Sequence, residues 1–122
     1  MNNNFKIKLK KRNARKRRCR ARINKQEICR LTVYKSAKNI YAQIFSSDKV
    51  FVLTSASSID KDIKQKVLNK NKMIKSQEIG KSIAQKAKLK GITKVAFDKS
   101  GFKYHGCIKE VADSARKYGL LF

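Results

Sequence analysis

The chain has 122 residues, enough for one domain and no more. Its 32 Lys and Arg face only 8 Asp and Glu, a formal net charge of +24 that calls for a polyanionic partner, either nucleic acid or an anionic membrane surface. Apolar residues make up 41%, which supports a modest core and excludes wholesale disorder, while the longest uninterrupted apolar run (VFVL, 50–53) is too short for a transmembrane helix or a secretory signal. The expected location is therefore cytoplasmic.

The charge is concentrated at the start. Residues 1–25 hold twelve Lys or Arg and no acid, and residues 26–122 hold twenty bases with all eight acids. The run KIKLKKRNARKRRCRAR (6–22) contains no Pro or Gly and includes good helix formers. Its like charges repel, so alone it is expected to be a mobile arm that becomes helical when phosphates neutralise it. The bland alternatives are a solvated basic tail or an import-like leader. A helix lying on a membrane would need a strong apolar face. Phe5, Ile7 and Leu9 alternate with strand-like spacing and Ile23 stands too far away to extend a stripe.

From Glu27 onward the pattern changes to strands. In ICRLTVYKS, Cys29, Leu31 and Val33 share one face and Arg30, Thr32 and Tyr34 the other. A turn at 36–39 leads to IYAQIFS, again alternating, and a short polar link leads to KVFVLTSAS (49–57), apolar on both faces. Short links dictate an antiparallel three-stranded meander, its third strand expected to be buried on both sides. Residues 58–75 read as a Lys-rich loop with a helical turn near 61–67. Ser76 is the expected N-cap of a helix whose inward stripe is Ile79, Ile83, Ala84 and Ala87, closed by Gly91. ITKVAFD (92–98) follows as a fourth strand, and a right-handed crossover sets it parallel to the third. A second helix over about 107–118 turns Ile108, Val111, Ala112 and Ala115 inward and ends at Gly119. The predicted fold is an α/β single-domain sandwich: a mixed four-stranded sheet and two main helices in an order similar to the ribonuclease-H-like layout. Residues 1–25 form a basic RNA-binding arm and 26–122 the globular domain.

Between the fourth strand and the last helix lies DKSGFKYHG (98–106), in the crevice where α/β folds commonly bind ligands. Gly101 and Gly106 permit close backbone approach, Lys99 and Lys103 suit phosphate, and Phe102, Tyr104 and His105 suit unpaired bases or ribose. The last helix also offers free N–H groups to an anion. The alternative is a polar turn whose aromatics fold back into the core, Phe102 first among them.

Little in the chain suits catalysis. Two-metal hydrolysis needs converging acids, yet the first strand carries Arg30 and no carboxylate, and Asp98 alone stands at a strand end. No nucleophilic triad or phosphate-cradling Gly-rich loop is present. Three cysteines without a CxxC pair and a single histidine make neither a zinc site nor a disulfide framework. The reading is a binding protein with no metal, cofactor or small-molecule substrate.

RLTVYKSAKNIYAQIF, the later TSAS, and FDKSGFKYHGCIKEVADSARKYGLLF together resemble the bacterial large-ribosomal-subunit protein eighteen family, small proteins that bind 5S rRNA. The similarity runs in order from about Asn13 to Phe122, and its most specific part is the FD-x-x-G-aromatic-x-YHG loop with the terminal GL-x-F. The resemblance implies binding to 5S rRNA in the central protuberance, beside large-subunit rRNA and a neighbouring 5S-binding ribosomal protein. Carried over by position, it implies RNA contacts from Arg12, Arg15, Lys16, Arg17, Arg18, Arg20 and Arg22 of the arm. It adds Arg30 of the first strand, Lys35, Ser36, Lys38 and Tyr41 of the hairpin, and Gly101, Tyr104, His105 and Gly106 of the loop, where Asp98 also matches. With Lys99 and Lys103 these are the expected RNA-binding residues. Cys107 stands where the family commonly has Arg, which removes a bidentate phosphate fork. The competing reading is a general nucleic-acid binder without 5S selectivity, located wherever its nucleic acid is, an organellar ribosome included.

Overall fold

A computed structural model describes residues 3–24, 27–48 and 50–122. The elements follow as α1 (Asn3–Asn24), β1 (Cys29–Lys35), β2 (Ile40–Phe45), β3 (Val52–Ser57), α2 (Lys61–Lys64), α3 (Lys72–Leu89), β4 (Val95–Asp98) and α4 (Gly106–Lys117). The expected boundary between residues 25 and 26, and Lys49 of the expected third strand, lie outside the described residues.

The period-2 pattern sets the register. Leu31 stands opposite Ile44 and Val33 opposite Ala42, so the apolar sets of β1 and β2 share one face, and β3 continues the antiparallel meander with Ala56 opposite Ala42. This face packs under α3 and α4, with Ile79, Ile83, Ile108, Val111 and Ala115 all fully buried. The two helices approach closely at Gly80, where a Cβ would stand 2.5 Å from the Val111 carbonyl oxygen. The Ser114 hydroxyl donates to the Gln77 carbonyl at 2.7 Å, fastening α4 to α3.

β4 runs parallel with the third strand, as the crossover requires, but its partner is β1, and the sheet order is β3-β2-β1-β4. That placement makes β1 interior, in keeping with its burial on both faces from Arg30 to Val33. β3 is consequently an edge strand and not the doubly buried one expected from its composition. Val50 and Phe51 belong to the preceding turn, where Phe51 N donates to Ser46 Oγ, and both are exposed. Ser76 is likewise no cap. Asn71 caps α3 by accepting from Ile74 N at 3.0 Å, whereas Ser76 is buried mid-helix and donates back to the Lys72 carbonyl.

The largest difference concerns the arm. It is a 22-residue helix, and its second half rests on β4 and the loop that follows. The reason is a stripe hidden by charge. Phe5, Leu9, Arg12, Lys16, Cys19 and Ile23 recur at spacings of four and three, so they fall on one side of a helix. Ile23 is buried, Leu9, Arg12, Lys16 and Cys19 are half-buried, and Arg17, Arg18 and Arg22 point outward.

Candidate nucleic-acid interface

The second face of the sheet is polar. Arg30, Thr32 and Tyr34 of β1 lie in register with Ala96 and Asp98 of β4 and with Tyr41, Gln43 and Phe45 of β2. The arm lies against the β4 side of this face, and Asp98 is the point to which it is fastened. Asp98 is fully buried. Its Oδ2 accepts from Arg20 Nε at 2.8 Å and from the Thr32 hydroxyl at 3.4 Å, and its Oδ1 accepts from Ser100 N at 3.0 Å. Arg30 Nε stands 3.9 Å from the same carboxylate, and its guanidinium lies 4.5 Å over the Phe45 ring. Burial holds the Arg30 guanidinium below its ordinary pKa; Asp98 opposes that shift and Arg20 adds to it.

A second fastening lies one turn earlier. Arg15 Nε donates to the Gly101 carbonyl at 3.1 Å, and the Arg12 guanidinium lies 4.7 Å over the Phe102 ring. Gly101 has φ +76, and a Cβ there would collide with the Arg12 carbonyl oxygen. The close approach that this glycine permits is therefore made by the arm's own backbone. Phe102 is half-buried between Arg12, Lys35 (Nζ 5.5 Å from the ring centre) and the edge of Tyr34, which in turn meets Tyr41. Arm, loop and the end of β1 thus converge on Phe102.

The remaining expected contact residues are arranged around this junction. Lys99, half-buried, lines a cleft of about 150 Å³ with Arg15, Arg18, Cys19 and Arg22. Lys103 and Lys38 are exposed, and Lys16, Lys35 and Tyr41 are half-buried. Ser36 closes the hairpin turn, its hydroxyl oxygen accepting from Asn39 N, and its carbonyl accepts from Lys72 Nζ. His105 is exposed at the N-cap of α4, and Gly106 takes φ +60 with open space around it. Arg20 and Arg30, also among the expected RNA-binding residues, both face Asp98, with 32% of the Arg20 side chain and 11% of the Arg30 side chain reaching solvent.

The family model described as "Ribosomal L18 of archaea, bacteria, mitoch. and chloroplast" matches residues 6–122. The chain belongs to the ribosomal L18 family. It is 48% identical over 108 residues to "Large ribosomal subunit protein uL18" of Hydrogenovibrio crunogenus, covering 88% of this chain and 92% of the relative. The protein of that name in Chromobacterium violaceum is 47% identical over the same shares. The one in Buchnera aphidicola subsp. Baizongia pistaciae is 46% identical over 119 residues, 95% of this chain and 98% of the relative. Membership makes the chain a structural constituent of the large ribosomal subunit and not an enzyme, with rRNA and ribosomal proteins for partners and the ribosome for its location.

The segment by which the ribosomal L18 family is most recognisable has a physical basis that spacing alone did not reveal. Arg116 of α4 donates from Nη1 to the Tyr104 hydroxyl at 2.9 Å and from Nε to the Phe122 main-chain oxygen at 3.2 Å. Its guanidinium lies 4.4 Å over the Phe122 ring, which stacks on Phe97, and Phe97 meets Tyr104 edge-on. The aromatic loop and the terminal GL-x-F are halves of one cluster. The anchor role of Asp98 depends on partners at positions 20, 30, 32 and 100, and its one sequence signal is a lone acid at a strand end facing a basic arm.

Proposed function

We propose that the chain binds 5S rRNA selectively and joins it to large-subunit rRNA in the central protuberance, beside a neighbouring 5S-binding ribosomal protein. The observation that supports this is the fastening of a cationic helix to the loop and to the end of β1. It merges three basic segments into one preorganised face. In this reading Arg15, Lys16, Arg17, Arg18, Arg22, Lys35, Lys38, Lys99 and Lys103 meet phosphate. Tyr41, Tyr104 and His105 offer rings to bases or ribose, and Gly106 lets backbone approach them. Arg12 stacks beside the RNA, while Arg20, Arg30, Ser36 and Gly101 act through the shape of the face they hold together.

Sequencing the RNA recovered with the chain from cells, together with competition binding of the pure chain, tests the reading. Enrichment of 5S rRNA, and a preference for it over duplex RNA and duplex DNA that survives moderate salt, is the expected result. Equal affinity for all three would leave a general nucleic-acid binder, since phosphate contacts alone carry no sequence information.

A further inference from the structure

We propose that the open half of the polar sheet face seats an unpaired stretch of rRNA. Bases stack at the Tyr34–Tyr41 pair and at Phe45, and the Gln43 amide pairs with a base edge. The inference rests on the chain being an RNA binder, but not on its selectivity for 5S rRNA. The arm rests on the β4 side of this face, while α3 and α4 pack against the other face of the sheet. On the β2 and β3 side the register leaves a short platform. Tyr41 stands opposite Tyr34, Gln43 opposite Thr32 and Ser55, and Phe45 opposite Arg30. Gln43 and Ser55 are exposed in the middle, and Tyr41 and Phe45 are half-buried at the two ends.

Each part of the platform matches a component of a single strand. From Tyr41 to Phe45 the strand rises about 13 Å, at roughly 3.3 Å per residue. In RNA-binding folds, a sheet that presents aromatic rings in this way stacks about two or three unpaired bases. The Tyr34 ring is held in place: its centre lies 6.3 Å from that of Tyr41 and 5.6 Å from that of Phe102. These contacts fix its position, and 43% of the residue stays exposed for a base. The Gln43 side chain makes no hydrogen bond among the described residues, and its amide offers the donor and acceptor that a base edge requires. Charge favours RNA over a basic protein segment. Asp98, the one carboxylate in register on this face, is fully buried. Arg30 lies over the Phe45 ring at one end, and Arg12 and Lys35 lie over Phe102, beside Tyr34, at the other. Duplex RNA presents phosphates but no free base face, so it can use these cations and not the rings. The groove between α3 and α4 shows the contrast: Glu78, Glu110 and Asp113 line it and would repel phosphate.

The test uses the full chain, a single-stranded oligouridylate ten nucleotides long and a duplex RNA of equal length. Gln43→Ala alters an exposed side chain, so its melting temperature should stay nearly unchanged. It is expected to weaken the single strand about two- to tenfold and leave the duplex unaffected. Tyr34→Ala is expected to weaken the single strand roughly five- to hundred-fold, with less than about twofold change on the duplex. Tyr34→Phe should restore most of that loss, and the Gln43 side-chain amide resonances should shift with the single strand and not with the duplex. Equal losses on both RNAs, or a Gln43 amide that the single strand does not move, overturns the platform. So does a result in which both variants spare the single strand and weaken capture of the neighbouring 5S-binding ribosomal protein, which would make the face a protein contact. A wild-type chain without 5S preference, but with both effects intact on the single strand, supports the platform while overturning the 5S reading.

Discussion

Arg20 on α1 and Asp98 at the end of β4 lie 78 positions apart in sequence and 2.8 Å apart in space. The carboxylate is fully buried and the arginine side chain is about one-third exposed (32%), so the pair is a hinge pin between a surface helix and the body. A free arm would lose about 1–2 kcal/mol of backbone entropy per residue on ordering against RNA. A helix fastened beforehand has already met that loss through intramolecular contacts. In the proposed role the pin therefore links folding to recognition.

Asp98→Ala is expected to destabilise the fold by about 3–5 kcal/mol, because it leaves Arg30 buried without its counter-charge. Arg20→Ala should lower stability by only about 1–2 kcal/mol, between the values for exposed and buried pairs, since Thr32, Ser100 N and Arg30 still face the carboxylate. Urea unfolding reads both, and limited trypsinolysis should show faster cleavage of the arm in each variant.

Gly101→Ala and Gly91→Ala form a matched pair. Both glycines have positive φ, +76 and +75, but Gly91 has nothing within 4 Å of a new Cβ, whereas Gly101 would meet Arg12 Cγ at 2.9 Å. Gly91→Ala should cost about 1–2 kcal/mol from backbone strain alone. Gly101→Ala should cost more and release the arm as well. Thermal melts beside proteolysis separate the two, and an arm still protected in Gly101→Ala would contradict the docking described here.

The legible parts of this molecule are those whose apolar residues keep a single period. Leu31 and Val33, Ile40 to Ile44, and the stripes on α3 and α4 placed themselves by alternation or by helical spacing, and they form the core. The α1 stripe escaped because two of its six positions are Arg12 and Lys16, whose stems pack while their charges mark them as solvent-facing. The neighbour of β4 was not legible either, since a run of apolar residues cannot say which strand it will pair with. In β3 the run even misled, because Val50 and Phe51 precede the strand and stand in solvent. Of the site, residue types and the loop were readable. Their convergence on Phe102 and Asp98 was not, because it depends on contacts between segments more than 60 residues apart.

The outward arginines should behave oppositely to Arg20. Arg17, Arg18 and Arg22 are exposed, so replacing all three with Ala should leave the melting temperature nearly unchanged. Each lost phosphate contact lowers the log–log salt slope of RNA binding by about 0.7–0.9, so the triple variant should lose about 2–3 units. Titrations at four or five salt concentrations measure this. An unchanged slope would turn that face of α1 away from RNA.

Tyr104 is tied to the body by its hydroxyl and by its ring, and substitutions can address the two separately. Tyr104→Phe removes only the exposed bond from Arg116 and should lower stability by about 0.5–1.5 kcal/mol at most. It keeps the ring for a base, so relative preference among RNAs should persist. Tyr104→Ala also removes the edge-on contact with Phe97, about 0.5–1.5 kcal/mol more, and loosens Arg116, which holds Phe122 by its oxygen and its ring. With 41% of the residue exposed, the ring has surface left for RNA beyond its place in the cluster. The expected outcome for Tyr104→Ala is therefore twofold: a lower melting temperature, and a loss of affinity for 5S rRNA larger than for duplex RNA by roughly five- to hundred-fold. Melting curves and competition binding on the same preparations separate these effects. A Tyr104→Ala chain that melts earlier yet keeps its relative preference would assign the ring wholly to the Arg116–Phe122 cluster.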